Sequence, residues 1–279
     1  MMNIAPLSLA AFAALLVAPV TAHAAESFDA CTATITVLPV TLDSGGRYCL
    51  RNDVSTPISS GTAIEVNANN VTLDCNGFKI GNLAGGSGST ATGVLTDRLN
   101  TRITGCHFRG FKSPVMGVNA HGAQITDNFF EGGLYYGLYL AGDGTLVRAN
   151  RFVDTGGATG GYAVRVDGRG EIRGNTVDGV TTGAGAAMGI SGAGDFIVVD
   201  NSISGLAGSV VGSEYGIYFF GETTRQIVEG NRLQAPTDDG VGIACGGVTI
   251  VRDNSLVGFG SPMSGCPDDG GNVLRSAEP

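Results

Sequence analysis

The chain has 279 residues, a net charge of −9 and a composition that is 43% hydrophobic but only 15% charged. That balance supports a long buried core and excludes a disordered chain, while the absence of a basic stripe excludes nucleic acid as the expected partner. Glycine, at 46 residues, is about twice its usual share near 7%. With no G-X-Y period, collagen is excluded and frequent turns are expected.

The first predicted element is an apolar run from Pro6 to Val20, followed by Ala22-His23-Ala24, a small-x-small cleavage pattern. Residues 1–24 are therefore expected to be an export signal, and the protein to be periplasmic, cell-surface or extracellular. The run is shorter than the roughly 20 residues that span a bilayer, so no membrane span is expected after cleavage. Residues 25–60, with Cys31 and Cys49, are expected to form an N-terminal cap.

From residue 61 to 258 a short phrase recurs: an aliphatic, two spacers, Asn, one spacer and a large apolar residue. Its Asn slots are Asn76, Asn128, Asn150, Asn175, Asn201, Asn231 and Asn254, with Cys106 in the slot of one further copy. The slots step by 30, 22, 22, 25, 26, 30 and 23 residues, the signature of stacked supersecondary units. A second phrase, Gly or Ala followed by an alternating aliphatic run, precedes each slot, as in Gly137-Leu138-Tyr139-Leu140 and Ala163-Val164-Arg165-Val166. Such runs, bounded by Gly, Asp, Asn and Ser, predict strands of four to six residues, about three to a unit.

A unit of about 22 residues has no room for a crossover helix, so successive units must coil and stack equivalent strands in parallel. The Asn slot is expected to hold a left-handed bend and to hydrogen-bond from coil to coil as a ladder. A leucine-rich repeat would carry Leu five residues before Asn, where this chain has Ala123, Thr145, Gly170, Phe196, Gln226 and Thr249. A propeller wants periods near 40. The expected fold is all-β: a right-handed, single-stranded parallel β-helix, or β-solenoid, of about eight coils with a C-terminal cap over 259–279.

Six cysteines in an exported chain point to disulfides, for which sequence allows 15 pairings. Repeat register favours nearest neighbours, Cys31 with Cys49, Cys75 with Cys106 and Cys245 with Cys266, stapling both ends of the stack.

The chain resembles the right-handed parallel β-helix proteins of the pectate-lyase-like superfamily. The block from Ile35-Thr36-Val37-Leu38-Pro39 through Asn69-Asn70-Val71-Thr72-Leu73-Asp74-Cys75-Asn76-Gly77-Phe78 carries the resemblance most clearly. It implies a substrate along the outer face of one sheet, between the flanking loops 85–90, 155–160 and 207–209. Two residues past the Gly slot stand Glu65, Asn119, Tyr139, Arg165 and Tyr218, and four past it Asp97, His121 and Asp167. Asp97 and His121 are expected as column neighbours, as are Tyr139 and Arg165. For a polyuronate lyase or epimerase, Arg165 would neutralise the sugar carboxylate, His121 serve as base and Tyr139 as acid. Glu65, Asp97, Asn119, Asp167 and Tyr218 would bind substrate. The Asp-Pro-His-Asp motif of alginate epimerases and the Gly-His-Gly motif of polygalacturonases are absent. No cofactor or metal is expected, because Asp97 and Asp167 stand about three coils, roughly 14 Å, apart. The expected function is binding, with or without processing, of an extended acidic polysaccharide or cell-surface glycan. A non-catalytic surface module is the alternative.

Overall fold

The computed structural model describes residues 30–221, 225–236 and 239–275, so the expected signal segment lies outside the described residues. From Val40 onward the chain coils, and every pairing between its named strands is parallel. One coil contributes Thr92–Thr96 to a first face, Arg102–Thr104 to a second and His107–Arg109 to a third. Among the described residues ten strands stack on the third face, which corresponds to about nine turns. Helix among them is confined to the short 3-10 turn Leu83–Gly85, and no described helix is long and apolar enough to cross a membrane.

The stack reaches further than the repeats suggest. Val40–Leu42 already pairs with Thr62–Val66, and Val273–Arg275 pairs with Ser255–Val257. Residues 40–60 and 259–275 thus supply the first and last coils.

Three files of side chains meet on the axis, because each strand turns alternate residues inward. The first face contributes Ile64, Val94, Val115, Leu138, Val164, Ile190, Ile217 and Ile243, all fully buried. The second contributes Leu73, Ile103, Ile125, Val147, Ile172, Val198, Val228 and Val251. The third runs Ile80, Phe108, Phe130, Phe152, Val177, Ile203, Leu233 and Leu256. Its phenylalanines stack at 5.3 and 4.6 Å with rings within 7° of parallel. Vertical registration of like residues gives each one the same neighbour above and below, and that makes the period visible in sequence.

Three strands are longer than expected. Tyr136–Arg148, Gly161–Arg173 and Ala187–Val199 each run 13 residues, through the bend between the first and second faces. Gly168 and Gly194, at φ 120° and 143°, stack at that bend. A Cβ on Gly194 would lie 1.6 Å from the Gly168 carbonyl oxygen, so only glycine lets the strands fold over without a loop.

At the bend between the second and third faces, Asn128, Asn150, Asn175, Asn201, Asn231 and Asn254 point inward and are at most 3% exposed. Each Oδ1 accepts the backbone N–H of the residue in the same slot one coil earlier. The bonds run from Cys106 to Asn128, Asn128 to Asn150, Asn150 to Asn175 and onward to Asn254, at 2.9–3.0 Å. Each Nδ2 donates to a second-face carbonyl of the preceding coil, as Asn175 does to Val147 at 2.9 Å.

Three expectations about this ladder need correction. The left-handed residue is not the Asn but the one before it: Asp127, Ala149, Asp200 and Asp253, with Gly105, Gly174 and Gly230 in the other coils. The inward-turned amide needs an ordinary backbone, and the preceding residue makes the corner. Asn76 stands outside the ladder, exposed and itself at φ 49°, its N–H held by the Asp74 carboxylate at 3.0 Å. The first copy has a turn two residues longer, which places Ile80 rather than Phe78 in the core file. Finally, Asn272 adds a rung from the expected cap, accepting from the Asn254 N–H at 2.9 Å.

The disulfides pair Cys31 with Cys49, Cys75 with Cys106 and Cys245 with Cys266. Cys75–Cys106 stands where the amide ladder begins, tying the Cys106 slot covalently to the coil before it.

Candidate binding face

Strand register on the first face defines one outward file as Thr41, Glu65, Leu95, Met116, Tyr139, Arg165, Ser191, Tyr218 and Ala244. Glu65, Tyr139, Arg165 and Tyr218 therefore occupy the expected file. Asn119 does not; Met116 holds that place. The phrase Gly117-Val118 looked like the strand start, but Val94 pairs with Val115, three residues earlier. Asn119 instead sits past the strand end at φ 55°.

The same shift displaces His121. The residue beside Asp97 in the next coil is Val118, because Thr96 pairs with Gly117. His121 is exposed at the bend, where its Nδ1 accepts the Asp143 backbone N–H at 3.0 Å. Asp97 pairs instead with Arg98 at 3.2 Å. His121 is thus held at the bend by the residue beyond Gly142, whereas Tyr139 and Arg165 stand on the first face before it. The proposed base, acid and clamp are not brought together. Glu65, Asp97 and Asn119 line a separate shallow groove of about 400 Å³.

What the fold does assemble is aromatic. Tyr136, Tyr162, Met188 and Tyr215 form a parallel file three positions upstream of the first. Tyr136 contacts Tyr139 and Tyr162 at 5.4 and 5.3 Å between centroids, and Tyr135 packs against Tyr136 at 4.6 Å. About three coils away, Tyr215, Tyr218 and Phe220 form a second cluster at 4.9 and 4.4 Å. Six of the chain's seven tyrosines thus lie on this face. The flanking loop 155–160 closes against it, Gly160 abutting the Tyr135 ring. Sequence carried a signal for the missed residues: Tyr136-Gly137, Tyr162-Ala163, Met188-Gly189 and Tyr215-Gly216 repeat a large residue immediately before the small one.

Arg165 bridges the two clusters. Its guanidinium lies 4.9 Å from the Phe220 ring centre and 5.8 Å from that of Tyr162, while Nε meets Asp167 at 3.4 Å. Burial disfavours its charge, but Asp167 and the neighbouring tyrosines outweigh that and hold it above the ordinary arginine value. Burial pushes Tyr136 up to about 12, with Tyr135 adding to the effect. Burial also raises Tyr139, assisted by the charge of Asp167. Both shifts favour the protonated phenol, the form that donates hydrogen bonds. The face offers flat apolar rings, phenolic donors, one carboxylate and one guanidinium with five N–H groups, one of them directed to Asp167.

The model of the family described as right-handed beta helix region matches residues 114–265, just over half of the chain. No curated protein and no solved structure matches it significantly. Parallel coils, three inward files, a ladder of buried amides and this match converge on one conclusion: the chain belongs to the right-handed β-helix family.

Proposed function

We propose that this is an exported protein that binds an extended acidic polysaccharide along the first face, without a catalytic step. The observation that carries the reading is the placement of Arg165 between two aromatic clusters along one file. Sugar rings present apolar faces that stack on aromatic rings, and their hydroxyls and carboxylates suit phenolic and guanidinium donors. Rings and donors spaced along the solenoid axis suit a chain better than a compact ligand. The three disulfides and the apolar N-terminal run support export to an oxidising compartment.

Affinity electrophoresis through gels containing polygalacturonate, alginate or a neutral β-glucan tests this. Retardation is expected in at least one polyuronate gel. Tyr162→Ala and Arg165→Ala should each weaken it at least tenfold, a loss of about 1.4 kcal/mol. His121→Ala should leave it unchanged. Absence of retardation in all three gels, or equal retardation of the Arg165 variant, refutes the proposal. Appearance of unsaturated uronide absorbance would show turnover and overturn the non-catalytic part.

A further inference from the structure

We infer a second, independent ligand site on the third face, which takes an organic carboxylate with a small apolar body. The outward file there runs Ser55, Gly81, Arg109 and Glu131. Gly81 has no side chain, so between Ser55 and Arg109, about two coil steps or 10 Å apart, the surface sinks. The resulting pocket has a volume of about 320 Å³. Pro57, Leu83 and Ala84 form an apolar rim, and Lys79 and Arg109 are its two cations.

The rim is held in place from beneath. Asn82 is fully buried, and its Nδ2 donates to the Ile58 carbonyl at 3.0 Å and to the Ser89 hydroxyl at 3.1 Å. Leu83, 60% exposed, is thereby fixed beside the opening. Lys79 is steadied by Asp53, which accepts its backbone N–H at 2.9 Å and its ammonium at 3.0 Å. Arg109 meets Glu131 through Nε at 3.3 Å. The Lys79 stem runs beside Gly81, its Cε 3.7 Å from where a Cβ there would stand, and Asp53 holds its ammonium, while Glu131 holds Arg109 from the coil beyond.

The lining sets the chemistry of an occupant. Its two cations select an anionic oxygen group, and Pro57, Leu83 and Ala84 select an apolar body.

Cinnamate is the probe, with neutral cinnamamide as its uncharged twin, titrated into the full chain by saturation-transfer NMR and calorimetry. Cinnamate should bind saturably below about 10 mM, and the amide about tenfold more weakly or worse. The decisive variant is Gly81→Val. The glycine lies on a strand with an ordinary backbone, and a Cβ there meets Ser55 and Lys79 at 3.5 and 3.7 Å, normal contact distances. It therefore fills the pocket without disturbing the coil, and the urea midpoint should stay within error of wild type while cinnamate binding is lost. Lys79→Gln with Arg109→Gln should remove the preference for the acid over the amide. Unsaturable cinnamate, equal binding of acid and amide, or full binding by folded Gly81→Val each overturns the site. Polysaccharide retardation by the first face should survive Gly81→Val, so the two readings fail separately.

Discussion

Truncation of a central ladder residue, Asn175→Ala, should cost far more than its single amide suggests. Asn175 is 1% exposed. Its Oδ1 accepts the Asn150 backbone N–H and Nδ2 at 3.0 Å, and its own Nδ2 donates to Val147 O at 2.9 Å and Asn201 Oδ1 at 3.0 Å. Two of these losses are cushioned, because Asn150 Nδ2 still reaches Ile125 O and Asn201 Oδ1 still holds the Asn175 N–H. The Asn150 backbone N–H has no such substitute and is left buried without an acceptor, at about 2 kcal/mol; the bond to Val147 and the remaining partial losses add about 1 kcal/mol each. The total, about 4 kcal/mol, is a large share of the 5–15 kcal/mol typical of a folded domain. Urea unfolding followed by far-ultraviolet circular dichroism measures it, with Asn76→Gly as the control. Asn76 has the same residue type and phrase but is exposed outside the ladder at φ 49°, a backbone glycine adopts freely, so its truncation should stay within about 0.5 kcal/mol. Equal midpoints for the two variants, or a loss below about 1 kcal/mol at Asn175, would refute the ladder as a source of stability.

Other consequences rest on the same geometry. Ala149 makes the left-handed corner before Asn150 at φ 54°, so Ala149→Gly should stabilise the protein by up to about 1 kcal/mol, read as a rise in urea midpoint. Replacing Cys75 and Cys106 by serine opens a link spanning 31 residues and should lower stability by about 3–4 kcal/mol on loop-entropy grounds, measured against the oxidised parent. Tyr136, raised from 10.0 to about 12, keeps its proton in the fold beyond the pH at which the unfolded chain loses it. The folded state then binds more protons, so this contribution is intact below about pH 10 and is lost as pH rises toward 12. Ultraviolet titration should show a late phenol ionisation that disappears in Tyr136→Phe.

Sequence by itself determined the coil, because burial repeats at every turn: a residue facing the axis must be apolar in each unit, and a buried corner amide must be Asn in each unit. Those constraints print a period of 22 to 30 residues that reads without coordinates, and they also placed each cysteine beside its partner. They placed Tyr139, Arg165 and Asp167 together for the same reason, since Ala63, Gly137 and Ala163 mark true strand starts in those coils. The outer surface carries no such constraint. Around Met116 nothing in the pattern separates Pro114-Val115 from Gly117-Val118 as the start of the strand, and a slip of three residues moved Asn119 and His121 onto the wrong file. Whether side chains from coils of unequal length come to lie side by side depends on where each loop absorbs its extra residues. Only the tertiary structure decided that, and with it that six tyrosines share one face while a glycine opens a pocket on another, because lateral contact on a solenoid's surface is set by accumulated register and not by any local preference of the chain.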